Sequence, residues 1–192
     1  GLVPYLDIPL QHSNPEVLKR MKRPAGGEKA LARINNWREV CPDLIIRSTF
    51  IAGFPGETEE DFKEILTFMN NASFDNVGVF LYSDEEGTGA FSLDQKVPRR
   101  TATRRRNQLM KLQSSISARK LKSQMGKRVE VLLEGESEES ELLLKGRMGI
   151  QAPDIDGHVL INDAGLRIPA IGSFYEVEIT GSMEYDLIGR IV

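Results

Sequence analysis

The chain has very little of what metal and redox chemistry requires. One cysteine, Cys41, and two histidines, His12 and His158, are spread over 192 residues. A single cysteine excludes an internal disulfide, suits a reducing compartment and offers no thiolate set for a metal or an iron–sulfur cluster. Cys41 stands before Pro42 in a helix-to-strand connection, with no histidine nearby to serve as a base, so it reads as a small filler. His158 falls within a strand and reads as structural, whereas His12 ends one. No apolar run approaches the roughly 20 residues of a membrane helix. The first residues, Gly1 to Tyr5, lack the basic segment and apolar stretch of a signal peptide. A cytoplasmic protein without a membrane partner is therefore expected. Neither GxxxxGK[ST] nor GxGxxG occurs, which removes the common phosphate loops. Glu85 and Glu86 are adjacent, so in extended chain they point apart and make no acid–base pair.

What is present is unevenly charged. Residues 1–124 hold 19 Lys/Arg against 15 Asp/Glu, and residues 125–192 hold 6 against 13. Opposite signs in the two parts argue for two domains, 1–123 and 124–192, and the acidic one is a poor match for nucleic acid.

The first part alternates strands and helices. YLDIPLQH (5–12) is a short strand, and a helix begins at Ser13 or Asn14 with Pro15 and an apolar side of Val17, Leu18 and Met21. Pro24 and Gly26-Gly27 break it. A second helix follows with Leu31, Ile34, Trp37 and Val40. IIRSTFIAGFPGE (45–57) is a strand running into a Gly-Pro-Gly turn, with Ile45, Arg47, Thr49, Ile51 and Gly53 on one face and Ile46, Ser48, Phe50, Ala52 and Phe54 on the other. An arginine and a threonine sharing a strand face suggest a polar ligand, and Gly53 would let a flat one touch backbone. An ordinary buried strand-turn-helix unit stands beside that reading. Thr58 caps the next helix, on which Phe62, Ile65, Leu66 and Met69 form one face before Asn70-Asn71 ends it. VGVFLY (77–82) is a third strand. Three strands separated by helices make a parallel sheet, whose ligands gather at the carboxyl ends: Gln11, His12 and Ser13, then Gly53, Phe54 and Pro55, then Tyr82 and Ser83.

From Pro98 to Gln124 the pattern is one long helix with Leu109, Leu112 and Ile116 as its stripe. It carries nine Lys/Arg and no acid. Such a helix is either a phosphate- or RNA-binding surface or a solvated face that balances an acidic neighbour. From Lys127 the texture becomes short strands, Val129–Leu133, His158–Ile161, Phe174–Ile179 and Asp186–Val192. Turns are expected at Gly135, Gly149, Asp156-Gly157, Gly172 and Gly181-Ser182. Four to six such strands make a small closed barrel of the oligonucleotide-binding sort, here so poor in basic residues that docking on protein is favoured.

The segments YLDIPLQHSNPEVLKRMKRP, IIRSTFIAGFPGETEEDF and VGVFLYSDEEGT, in that order, resemble the second half of the radical S-adenosylmethionine domain of the methylthiotransferases. The region from Gln124 onward is similar to the TRAM domain that follows it in that family. Asp84 and Gly89 depart from the family, which more often has proline there. The resemblance implies an α/β fold: the carboxyl-terminal half of a partial (βα) TIM-like radical barrel, then a small all-β, OB-like TRAM barrel. LDIPLQHS, Gly146-Arg147 with APDIDG (152–157), and EYDLIG (184–189) resemble the branch acting on a ribosomal protein.

The implied function is addition of a methylthio group to the β-carbon of an aspartate of ribosomal protein S-twelve. A tRNA adenosine methylthiotransferase and a non-catalytic RNA-binding TRAM module are the alternatives. The implied cofactors are S-adenosylmethionine and two 4Fe-4S clusters, whose CxxxCxxC and amino-terminal ligands are not in these residues. A carboxyl-terminal fragment, inactive alone and with no catalytic or metal-binding residue of its own, is therefore expected. The resemblance implies S-adenosylmethionine contacts from Gln11, Ser13, Arg47, Thr49, Gly53, Phe80 and Tyr82, with Arg47 gripping the carboxylate and Gly53 approached by the adenine. The acidic barrel would meet the basic ribosomal protein, and nucleic acid is the less favoured partner.

Overall fold

Apolar runs that alternate between two faces produce three parallel strands in the first part of the chain. They are β1 (Tyr5–Gln11), β2 (Ile45–Ala52) and β3 (Asn76–Leu81), side by side in that order. The computed structural model describes residues 2–23, 27–138, 140–165 and 169–192. In β2 the alternation is strict: Ile46, Ser48, Phe50 and Ala52 are buried, and Ile45, Arg47, Thr49 and Ile51 are half-buried. Four helices accompany the sheet, α1 (Pro15–Arg20), α2 (Gly27–Val40), α3 (Glu59–Ala72) and α4 (Arg99–Lys122), and the last three supply side chains to the cluster on its buried face. There Phe50 packs edge-on against Phe68 and Phe74, with centroids 6.2 and 5.8 Å apart, beside Ile34, Phe62, Ile65, Met69 and Leu109. Each such side chain withdrawn from water contributes about 1.5–3 kcal/mol. Among the described residues the opposite face of the sheet has no such cover, and Phe80 on it is 60% exposed.

The local signals mostly act as chemistry requires. Asn14 caps α1 by accepting the Glu16 and Val17 amides, and Thr58 and Asp61 form a reciprocal capping box on α3. Two expectations fail. Asn70-Asn71 does not end α3, which continues to Ala72 and stops where Ser73 turns left-handed at φ 46°. Arg38 donates to the carbonyls of Ala72 and Ser73 at that end. Val40 is exposed rather than part of the α2 stripe. Leu31, Ile34, Trp37 and Val40 recur every three residues, which drifts about 60° per step on a helix of 3.6 residues per turn, so Val40 has rotated to the far side. The break expected at Pro24 and Gly26-Gly27 lies at the described boundary, with residues 24–26 outside it.

The chain divides into two compact units, Pro4–Ile116 and a second made mainly of Ser117–Val192. The division falls inside α4, earlier than residue 123. The second unit is a closed five-stranded barrel, β4 (Arg128–Ser137), β5 (Ser140–Met148), β6 (Val159–Asp163), β7 (Phe174–Ser182) and β8 (Leu187–Ile191), in the order β4-β5-β6-β8-β7. Val131, Leu133, Val159, Ile161, Val177, Ile179 and Leu187 fill it. Gly135 and Gly181 are not turns. Each sits inside a strand where the pairing register slips, so these glycines bend β4 and β7 as bulges.

Candidate functional site

The uncovered face of the three-stranded sheet is built by register. Asp7, Arg47 and Asn76 are aligned across β1, β2 and β3. Thr49 pairs with Gly78 in the next row toward the carboxyl ends, and Ile51 with Phe80 beyond it. Arg47 Nη1 donates to Asp7 Oδ2 at 3.2 Å, with the Arg47 side chain 20% and the Asp7 side chain 46% exposed. Along one accessible face the order is therefore an ion pair, then a hydroxyl and a glycine gap, then an exposed aromatic ring.

The seven residues expected to meet the ligand do not all converge. Arg47, Thr49 and Phe80 share this face. Gln11 ends β1 at φ 70°, where the pairing with β2 slips, a left-handed conformation that a glutamine adopts only under constraint. Tyr82 extends the ladder by donating its amide to the Ala52 carbonyl at 3.0 Å. Its ring meets Phe54 edge-on at 5.3 Å and its hydroxyl donates to Asp84 Oδ1 at 2.8 Å. Ser13 instead lines a cavity of about 910 Å³ bordered by α1, α2 and α3, on the helical side. At Gly53 the alternation has ended, with φ at +83°. A Cβ added there would lie 2.4 Å from Ala102 Cβ, so the close approach that Gly53 permits is made by α4.

Beneath the strand ends lies a buried polar cluster absent from the expected set. Glu57 Oε2 accepts the Gly53 amide at 2.9 Å, and Glu57 Oε1 accepts from Arg105 Nη1 at 2.7 Å. The Glu57 side chain is fully buried and that of Arg105 is 5% exposed. Arg105 also donates to the Glu57 carbonyl and to Glu59 Oε2, and lies 5.5 Å from the Phe62 ring. His12 completes the group. Its Nδ1 accepts the Asn14 amide at 2.9 Å, which leaves the proton on Nε2, 3.7 Å from Glu57 Oε2. Arg105 was legible in principle: it lies four, seven and eleven residues before Leu109, Leu112 and Ile116, on the buried stripe of its own helix.

The loop after β3 closes on a second cluster. Lys96 Nζ donates to Asp84 Oδ1 at 2.6 Å and to the carbonyls of Ala90 and Phe91, while facing the rings of Tyr82 and Phe91. Lys96 and then Tyr82 hold the Asp84 carboxyl below its ordinary range. Burial, and then the bond to Asp84, push the Tyr82 phenol up. Among the described residues no group of three or more His, Cys, Asp or Glu is arranged to hold a metal ion, and no helix is long and apolar enough to cross a membrane.

The chain is 51% identical over 189 residues to a ribosomal protein uS12 methylthiotransferase RimO of Koribacter versatilis, covering 98% of this chain and 38% of that protein. Proteins of the same name from Francisella philomiragia and Burkholderia cenocepacia are 49% and 46% identical over 187 and 192 residues, covering 97% and 99% of this chain and 42% of each relative. The chain thus spans about two fifths of the length of these relatives. Among solved structures, coproporphyrinogen III oxidase (HemN) from Escherichia coli, described as a radical SAM enzyme, matches with a TM-score of 0.52 at 14% identity. That match covers 76% of this chain and 39% of HemN, and shows the fold alone. Residues 1–69 match the model of the radical SAM superfamily and residues 125–192 that of the TRAM domain, and across both the chain is similar to the ribosomal protein uS12 methylthiotransferases.

Proposed function

We propose that this chain forms part of a radical enzyme that adds a methylthio group to the β-carbon of an aspartate of ribosomal protein S12 in the cytoplasm. The observation that carries the reading is the 51% identity to such an enzyme over 189 residues, which spans both units. S-adenosylmethionine would lie on the uncovered sheet face. An amino-acid head carries one cation and one anion, and the Asp7–Arg47 pair offers the complement of each. Arg47 would take the carboxylate bidentately and Asp7 the ammonium, with Thr49 supplying a hydroxyl and the exposed Phe80 ring a stacking surface for the adenine. Gln11 and Tyr82 would border the ligand from the strand ends, while Ser13 and Gly53 support the frame from the helical side. The 4Fe-4S clusters that the family implies do not fit this chain, because one cysteine cannot supply their thiolates.

The acidic barrel supports a basic protein substrate over tRNA. Four of its cations are already tied to its own carboxylates: Arg128 to Glu176, Lys145 to Glu138, Arg147 to Glu134 and Arg190 to Glu178. Exposed Glu130, Asp154 and Glu184 add negative charge. The test is anaerobic turnover of the longer protein containing this chain, with clusters loaded, on S12 and on tRNA in parallel. The expected result is a methylthio group on an S12 aspartate, and modification of tRNA adenosine alone would overturn the reading. Arg47→Ala should weaken S-adenosylmethionine binding by about 1.5–3 kcal/mol, the range for a hydrogen bond to a charged group.

A further inference from the structure

Two connections in the barrel, β5 to β6 (149–158) and β7 to β8 (183–186), are brought together by its topology. β6 and β8 run parallel with Val159 beside Leu187, so the connections that lead into them emerge at the same end of the barrel. There they touch. A Cβ at Gly157 would lie 1.8 Å from the Tyr185 carbonyl oxygen, and the His158 amide donates to Asp186 Oδ1 at 2.6 Å. Each connection is also braced from within. The Ala152 amide donates to Asp156 Oδ2 at 2.9 Å, Gln151 Nε2 to the Gly157 carbonyl at 2.6 Å, and the Met183 amide to the Asp186 carbonyl at 2.7 Å.

These loops nevertheless hold large apolar side chains in water. Ile155 is 57%, Met183 46% and Tyr185 41% exposed, where surface turns ordinarily carry small polar residues. Apolar side chains gathered on abutting loops mark an interaction face, and Tyr and Met are enriched in such faces. Because the loops are braced before a partner arrives, little ordering entropy opposes binding.

The charge around this face has one sign. The two connections contain Asp154, Asp156, Glu184 and Asp186, and no Lys or Arg. Asp156 and Asp186 hold backbone amides, whereas Asp154 and Glu184 are exposed and make no ion pair among the described residues. His158, which could gain positive charge, faces Asp186 at 3.9 Å. Such a surface repels a phosphate backbone and attracts a cationic polypeptide.

We propose that this end of the barrel, with Ile155, Met183 and Tyr185 as anchors and Asp154 and Glu184 beside them, is the docking surface for the ribosomal protein substrate. It takes a Lys/Arg-rich segment that also carries apolar side chains. This rests on the reading of S12 as the substrate and adds where S12 is held. A protein that lies against ribosomal RNA carries the excess of Lys and Arg that neutralises phosphates, which is the charge this face complements. The apolar trio supplies the anchor, and the two carboxylates steer the encounter.

The experiment measures S12 affinity, and KM and kcat for S12, with the longer protein containing this chain. Ile155→Ser/Met183→Ser/Tyr185→Ser and Asp154→Asn/Glu184→Gln are compared with the parent. Ile171→Ser, at a residue 64% exposed in the β6–β7 connection, is the control. The apolar variant should bind S12 about 30-fold more weakly or worse, the loss expected of an interface hot spot, and should raise KM with kcat unchanged. The charge variant should slow association several-fold at low salt and lose that difference at high salt. Ile171→Ser should match the parent. Parent-like S12 affinity in the apolar and charge variants overturns the proposal. If the apolar variant then also melts earlier, the face is covered by the longer protein's own chain. Should the apolar variant fail to fold, the charge variant, altered only at two exposed side chains, decides alone. Failure of the substrate reading looks different, because the parent itself would then neither bind nor modify S12.

Discussion

Arg105 on α4 and Glu57 after β2 form a buried ion pair at 2.7 Å, joining elements 48 residues apart. The same carboxylate holds the amide of Gly53, so the turn that ends β2 is fixed by α4. Removing one partner of such a pair leaves a buried charge uncompensated and typically costs about 3–5 kcal/mol. Glu57→Gln should destabilise the first unit by that amount, although glutamine still offers the Gly53 amide an acceptor. Trp37, the single tryptophan, packs against this core, so its fluorescence during urea unfolding reports the change. Glu57→Gln/Arg105→Met should recover most of the loss. A single variant as stable as the parent would show that the pair does not hold the turn.

Gly53 and Ala102 give a second test, which separates packing from ligand approach. A methyl at position 53 would lie 2.4 Å from Ala102 Cβ, on a backbone at φ +83° that disfavours any side chain. Gly53→Ala should therefore cost about 1–3 kcal/mol by overpacking, before any ligand is present. Adding Ala102→Gly removes the clash and should restore part of the stability, with the backbone strain remaining. If Ala102→Gly restores nothing, the contact between the two residues is not what limits position 53.

These two sites show which parts of the fold were legible. The alternation of β2 set both faces of the sheet, because a strand has no other way to bury Ile46, Phe50 and Ala52 together. It could not place Gly53, since a positive φ ends the alternation and aims the residue at a helix 49 positions later. Ser13 lies on the helical side for a related reason: Asn14, as the cap of α1, starts a helix directly after it. The sequence puts Glu57 at the end of a turn and Arg105 among the nine basic residues of a long helix, and a buried ion pair between residues so far apart leaves no local period to join them. In the barrel, Gly135 and Gly181 looked like turns, and only the pairing register reveals bulges. β5 escaped because Leu142, Leu143 and Leu144 run together without alternating.

The Tyr82–Asp84–Lys96 cluster makes the loop after β3 sensitive at both ends of the pH scale. The Asp84 carboxyl sits below its ordinary range, so its contribution to folding is present above about pH 3.9 and fades as pH falls through its folded value. The Tyr82 phenol sits above its ordinary value near 10, so its contribution is present below that pH and fades as pH rises through the folded value. A near-ultraviolet titration should show a tyrosine step above the ordinary phenol range. Tyr82→Phe should remove that step, and Asp84→Asn should bring it down toward the ordinary value. A late step that persists in Tyr82→Phe would belong to another tyrosine.

Gly157 is the position in the barrel unit least able to accept a side chain. A Cβ there would fall 1.8 Å from the carbonyl oxygen of Tyr185 and 2.8 Å from its carbon. Backbone cannot swing aside as a flexible side chain can, so Gly157→Ala must separate the 150–157 loop from the β7–β8 connection. That separation also strains the bonds next to it, where the His158 amide donates to Asp186 Oδ1 at 2.6 Å and the Leu187 amide to the His158 carbonyl at 2.9 Å. These bonds start the parallel pairing of β6 with β8, whose register runs from Val159–Leu187. The expected cost is about 3 kcal/mol, the upper end for overpacking. Amide hydrogen exchange should show protection lost first at Val159–Ile161 and Leu187–Gly189, while Val129 and Val177, on the β4–β7 side, keep theirs until global unfolding. Uniform loss across all five strands would mean that the barrel opens as a single cooperative structure.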